Sequence, residues 1–484
     1  MAFFPPNNAL AWSHFHLRGG WTRSLTFTGA TMAILAMLII TSARLNPNDG
    51  GRTLFGWTTG LLTLQAVCMT LYGSGRVSAA IRQDLQSRMI DSHRLMPLPP
   101  MHAVAGYIMG AAGQPIVFAV GVFLIGGLTA GAAGVDLSRW AFANAILLAF
   151  SAFVWVVCAY AAFGARLGGA MLFFPLAIPY MSQGGALTLW PGMTVLLSPV
   201  IGNSIFDLRT TGIVLPATYA IAFAAQAYFA TILFIAASRK YRRAGEVGID
   251  TLLGLCLLAG WVGVTCLGLR EWEDFRPRGW SPVSVSETAQ IVGSMVAGLL
   301  IALPAISANV LERLAWRRHE VLRDPAPLRR PIPIALVIAV AAGLLLLIPF
   351  AAPHQAELIK KSLVLRSGAC VVMALLGIYF LFELLYRAGR RAGIAVFLWM
   401  LLAWGGPIAA DLVRYSLGDM GESEFIAGFS TCSPVGALIV LWSGSVIDTT
   451  YGLLMQALIL CLPGAPWLLG RLRQDSAAAA LDNS

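Results

Sequence analysis

Runs of about 20 apolar residues, broken by short polar or basic stretches, recur along the whole chain. They fall at 24–43, 54–74, 101–128, 140–163, 168–186 and 212–238, then, after the basic break at 239–243, at 251–269, 287–309, 331–350, 363–386, 393–410 and 446–470. A helix rises 1.5 Å per residue, so about 20 residues cross the ~30 Å hydrocarbon layer of a bilayer. Lipid offers no hydrogen-bond partner to an exposed peptide group, so each run is expected to be a helix. The expected fold is therefore all-α: a polytopic membrane protein of about 12 transmembrane helices. A cleaved signal peptide ending near Ala43 is the less expected reading of the first run, because many more spans follow it.

Composition sharpens this. Hydrophobic residues make up 58% of the 484 positions and charged residues 12%, where soluble domains carry about a quarter charged. Mean hydropathy is +0.74. The net charge of +10 does not point to nucleic acid, because the arginines sit in bursts between spans, where membrane topology places them. With the amino terminus inside, the inner segments hold 22 of the 33 Lys and Arg residues. That two-to-one bias persists through the alternation and puts both termini in the cytoplasm, as expected of a multi-pass protein of the bacterial inner membrane. Seven cysteines are scattered singly, so neither a metal site nor a disulfide framework is indicated.

The two groups of six runs echo each other. Ser78-Ala-Ala-Ile81 matches Ser307-Ala-Asn-Val310, and Asp84 and Glu312 each precede a proline (Pro97, Pro325) by 13 positions. Gly164-Ala-Arg166-Leu-Gly168 matches Gly389-Arg-Arg391-Ala-Gly393, and Ser198-Pro199-Val200 matches Ser433-Pro434-Val435. The offsets of 229, 228, 225 and 235 residues predict a duplicated six-span unit, residues 1–243 and 244–484. Six crossings is an even number, so the repeats should run parallel, related by an axis along the membrane normal.

The most informative polar stretch is Arg76–Gly106. Val77, Ile81, Leu85 and Met89 recur every four residues and mark one apolar helical face, with Arg82, Asp84, Arg88, Asp91 and Arg94 covering the rest. Pro97, Pro99 and Pro100 end that helix directly before the next span. A charged helix joined to a span by a rigid turn can pass force into it; the plainer reading is an interfacial helix on the headgroups.

This stretch resembles the type-2 permeases of ATP-binding-cassette exporters, the type V transporter fold. Asp84 stands where that family has an acidic residue, Pro97-Leu98 where it has Pro-Leu, and Gly106 where it has a later glycine. The pattern departs at Arg88-Met89 (Gly-Thr in the family), His93 (Leu), Pro99 (Ser) and Tyr107 (Lys). The segment Asn7–Ser24 resembles the family's amphipathic elbow helix, and 187–211 its extracellular re-entrant region. The resemblance implies a cytoplasmic segment, 76–100, that couples a separate ATPase subunit to the membrane pathway, with 307–330 as its counterpart. The coupling residues so implied are Asp84, Arg88, Asp91, Arg94 and Pro97, then Glu312, Arg317 and Pro325. Ser198, Pro199, Ser433 and Pro434 are candidate outer-gate elements, with plain helix punctuation as the alternative.

What is missing matters as much. The only lysines, Lys240, Lys360 and Lys361, do not follow a glycine, which excludes a phosphate-cradling GxxxxGK[ST] loop. No HExxH or GxSxG occurs, so no enzyme activity and no cofactor are expected. His14 and His16 read as interfacial polar residues. Glu383 with Arg387, and Asp411 with Arg414, read as ion pairs near span ends. The first half carries no ionisable residue mid-span, although Gln65 and Gln114 are polar. These features point to a permease partnered by a separate ATP-binding-cassette ATPase, with membrane lipid around it and a lipidic or amphipathic substrate. A secondary carrier with two six-helix halves is the alternative. A membrane enzyme acting on lipid-linked sugars, using Glu271, Glu273, Asp274, Glu422 or Glu424, is a third reading.

Overall fold

The computed structural model describes residues 8–17, 19–45, 49–164, 215–243, 248–257, 259–260, 361–387, 398–399, 401–416, 429–442 and 449–482; these form helices and turns, with no strand among them. Two compact units divide the chain, residues 1–177 with 187–248, and 178–186 with 249–484.

In the first unit a short helix α1 (Ala9–His16) leads to α2 (Gly20–Leu45). Gly19 and Gly20 have φ of 100° and 56°, a left-handed pair that only glycine adopts cheaply and that turns α1 into α2. Next come α3 (Gly50–Val67), a π-helical turn (Cys68–Tyr72) and α4 (Gly73–Gln86), forming one 37-residue rod. Then follow α5 (Met89–Leu95), α6 (Pro100–Ala132), α7 (Leu137–Gly164) and α8 (Leu215–Arg242). α7 packs along α8, while α6 contacts α1, α2, α3, α4, α7 and α8.

Four helical segments, Gly20–Leu45, Gly50–Gln86, Pro100–Ala132 and Leu137–Phe163, are long and apolar enough to cross a membrane. They coincide with the first four expected spans, and Leu215–Arg242 covers the sixth. Their polarity is arranged as lipid demands. Leu25, Phe27, Ile34, Met37, Leu38 and Ile40 of α2 are exposed, whereas its Ser24 and Thr28 are buried. Thr26, Thr31 and Thr41, also on the outside, bond back to the carbonyls four residues earlier at 2.8–2.9 Å, satisfying their hydroxyls without water. The protein is membrane-embedded.

Lipid tails are as apolar as leucine, so helix association here depends on close packing and polar links. Gly73 lies against the Trp155 indole, whose Nε1 donates to the Met69 carbonyl at 2.8 Å beside the π-turn. Gly126 makes room for Trp140, which donates to the Phe123 carbonyl at 3.1 Å. Gln65 Nε2 donates to the Ala119 carbonyl at 3.2 Å, so this polar residue has a structural bond.

The second unit contains α9 (Lys361–Arg387), a π-turn (Leu401–Gly405) running into α10 (Gly406–Ser416), a 3₁₀ turn (Ser430–Cys432), α11 (Pro434–Trp442) and α12 (Thr450–Asp482). α9 packs on α11 and α12. Asp411 is not held by Arg414 as expected. Its Oδ2 accepts from the backbone N–H and the hydroxyl of Ser430, both at 2.6 Å, while Arg414 lies over the Phe429 ring. The expected spans 168–186, 287–309 and 331–350 lie outside the described residues, and the twelve-span count rests on the sequence.

Candidate functional site

The segment from α4 to α6 differs from its expected form in one respect. The helix does not continue to the prolines: it stops at Gln86 and restarts at Met89. Arg88 sits between with φ of 59°, the left-handed region. Glycine suits that backbone best, and in the motif that this stretch resembles the corresponding position is glycine. Arg88 adopts it at a cost in strain. The prolines then shape the second turn: Pro97 is exposed, and Pro100 starts α6 at N1, where its missing N–H costs nothing.

A rod of 37 residues is about 55 Å long and exceeds the ~30 Å hydrocarbon layer. With residues 54–74 in the membrane, α4 projects from one face by about 18 Å. α1, α5 and the first turns of α6 gather around that projection, on the side for which the Lys and Arg distribution predicts the cytoplasm.

At the centre of the cluster is Asp84, 6% exposed. The Tyr107 hydroxyl donates to its Oδ2 at 2.7 Å. His93 Nδ1 lies 2.9 Å from the Tyr107 oxygen and 3.3 Å from the carboxylate. Since Tyr107 gives its proton to Asp84, its oxygen is free to accept from His93, which assigns the His93 proton to Nδ1. His14 Nε2 approaches the same oxygen to 3.2 Å without the alignment of a hydrogen bond. One carboxylate thus joins α1, the rod, α5 and α6. Burial lowers the pKa of His93; the Asp84 carboxylate pulls it upward, His14 downward, and burial prevails.

Two further attachments complete the assembly. Asn8 caps α1 by accepting from Ala11 N–H at 3.1 Å, and donates to the His102 carbonyl at 2.6 Å. α1 rests on Gly106 and Gly110, where a Cβ would come within 2.6 Å of Asn8 Oδ1 and of the Ala11 carbonyl respectively. Arg94 Nε donates to the Tyr241 carbonyl at 2.6 Å at the carboxyl-terminal end of α8, where a cation also offsets the helix dipole. Its Nη1 pairs with Asp91 at 3.0 Å.

The expected coupling residues therefore separate into two groups. Asp84 and Arg94 face inward and hold the assembly together. Arg88, Asp91 and Pro97 face outward, beside Leu95 at 88% exposure and the exposed Met89 and Met96. Glu312, Arg317, Pro325, Ser198 and Pro199 lie outside the described residues. Ser433 is buried and starts α11: its carbonyl accepts from Ala437 N–H at 2.8 Å and its hydroxyl from Gly436 N–H at 3.3 Å, with Pro434 next. That is the work of a helix start.

Sequence reasoning did not single out His14, His93 and Tyr107 as partners of Asp84. A signal was present: His93 and Tyr107 are two of the positions at which the stretch departs from the motif it resembles, and both lie against Asp84. In comparisons with known proteins, no family model, no curated protein and no solved structure matches this chain.

Proposed function

We propose that this chain is the membrane permease of an ATP-binding-cassette exporter, driven by a separate ATPase subunit. The observation that carries the reading is the construction of α5. This seven-residue helix is cut from the rod by the left-handed Arg88 and from α6 by the proline turn, yet it is bonded to both α6 and α8. Its outer tip shows Arg88, Asp91, Met89 and Leu95. A push on that tip reaches α6 through His93 and Tyr107, and α8 through Arg94. An exposed apolar patch ringed by charges is what a protein groove recognises.

The test is co-purification. The tagged full-length chain, extracted from its native membranes in mild detergent, should bring down a Walker-motif ATPase identifiable by mass spectrometry. Met89→Asp with Leu95→Asp should abolish the association while leaving gel-filtration behaviour and unfolding temperature unchanged, since both side chains are exposed and Arg94 keeps its pairing with Asp91. Normal association of that variant would remove α5 from the coupling role.

One observation favours the secondary carrier instead. Asp411 is 1% exposed and its Oδ1 has no hydrogen-bond partner among the described residues, and a buried carboxylate in a membrane protein is a default candidate for ion coupling. Asp411→Asn keeps the acceptor to Ser430 and removes the charge. Transport by that variant should persist if an ATPase supplies the energy and fail if protons do.

A further inference from the structure

A cavity of about 730 Å³ opens between α2, the π-turn region of the rod and α6. Phe27, Leu64 and Phe118 form its apolar wall, Arg23 and Arg76 also line it, and among the described residues no acidic side chain does. Arg76 is held in place. Its Nη2 donates to Gln114 Oε1 at 2.8 Å, and its guanidinium lies 5.7 Å from the Tyr72 ring centre.

Both arginines sit where spans meet the headgroups: Arg23 just before the 24–43 run and Arg76 just after 54–74. Along the helices, Thr31 lies about 12 Å from Arg23 and Leu64 about 18 Å from Arg76, toward the bilayer centre. The cavity thus begins with two cations at headgroup level and continues as an apolar cleft to acyl-chain depth. Its volume is in the range of small-molecule sites. Guanidinium groups match phosphate geometry, and basic pockets between spans on the cytoplasmic side suit anionic headgroups.

We propose that this cleft is a binding site for one anionic phospholipid of the cytoplasmic leaflet. Its phosphate lies on Arg23 and Arg76, and an acyl chain runs along Phe27, Leu64 and Phe118. The mid-span exposed face of α2 around Ile34, Met37 and Leu38 offers no cation and so holds lipid without regard to charge; Arg44 lies at the far end of the helix. The proposal needs the orientation read from the Lys and Arg distribution, and does not depend on the permease reading.

The test uses the purified, delipidated full chain in non-ionic detergent. It is mixed with equal amounts of dioleoyl phosphatidylglycerol and dioleoyl phosphatidylcholine, and bound lipid is counted by native mass spectrometry. The wild type should retain one phosphatidylglycerol per chain in clear preference to phosphatidylcholine. Arg23→Gln with Arg76→Gln should reduce that retention roughly tenfold to thirtyfold, at the strength of two basic contacts. Arg52→Gln, at the other end of the rod, should not change it. Thr31→Trp fills the cleft with both arginines intact and should also displace the lipid, which decides the matter if the double variant aggregates. Equal retention of the two lipids, or phosphatidylglycerol retention unaffected by Thr31→Trp, would overturn the proposal. So would displacement of phosphatidylglycerol by inorganic phosphate alone, which would indicate an anion site with no role for the acyl chain.

Discussion

Asp84 distinguishes an internal strut from a docking charge, and the difference is measurable as stability. Its carboxylate is buried with the Tyr107 hydroxyl at 2.7 Å and two imidazoles within 3.3 Å. Asp84→Ala removes a charge-assisted bond, worth about 1.5–3 kcal/mol. It also strands the Tyr107 donor in a closed site, for a total of about 3–5 kcal/mol. Tyr107→Phe removes the same bond and takes the acceptor from His93 but leaves the carboxylate beside both imidazoles, costing about 1.5–3 kcal/mol. If the two groups act through their mutual bond, the double variant should be less destabilised than the sum of the single variants, by about 1.5–3 kcal/mol. Equilibrium unfolding of the full chain in mixed micelles, followed by tryptophan fluorescence, supplies all four values. Additivity within about 0.5 kcal/mol would refute the internal network. So would a harmless Asp84→Ala, which would return Asp84 to the surface and make it a docking charge.

Other expectations follow from the same geometry. Because burial lowers the folded-state pKa of His93, the unfolded chain binds that proton first; stability should be full above about pH 6.5 and fall as pH drops toward the folded value. His93→Gln should flatten that dependence, and a wild-type profile level from pH 7.5 to 5.5 would refute the assignment. Gly110 meets the backbone of Ala11, which cannot move aside, so Gly110→Leu should cost more than about 2 kcal/mol and make residues 1–18 protease-sensitive. Gly60 has open space around it, and Gly60→Ala should be near neutral in the same assays. Cysteines placed at the exposed Ser92 in α5 and Ser138 at the start of α7, the helices that flank α6, should label from opposite sides of the membrane, Ser92 from the cytoplasm. Labelling of both from one side would overturn the topology.

Sequence alone located the described spans, because the requirement behind them is local. A stretch of about 20 apolar residues must close its own backbone hydrogen bonds in lipid, so runs 24–43, 54–74, 101–128, 140–163 and 212–238 announce helices wherever their neighbours lie. The proline turn before α6 is equally local. The break at Arg88 is not: its residue gives no signal for a left-handed backbone, and only the attachment of α5 to α6 and α8 makes that strain worthwhile. Asp84 shows where pattern ended and tertiary structure began. A strict step of four residues links Val77 to Met89 but drifts about 40° per step around a helix of 3.6 residues per turn. The face that is buried in fact runs through Val77, Ala80, Ile81 and Asp84, spaced by three, one and three. The carboxylate was therefore on the inner stripe of its helix all along. Periodicity defines a face without saying what lies opposite it, and it took the folded arrangement of α1, α5 and α6 to place a tyrosine and two histidines against that charge rather than water or a partner protein.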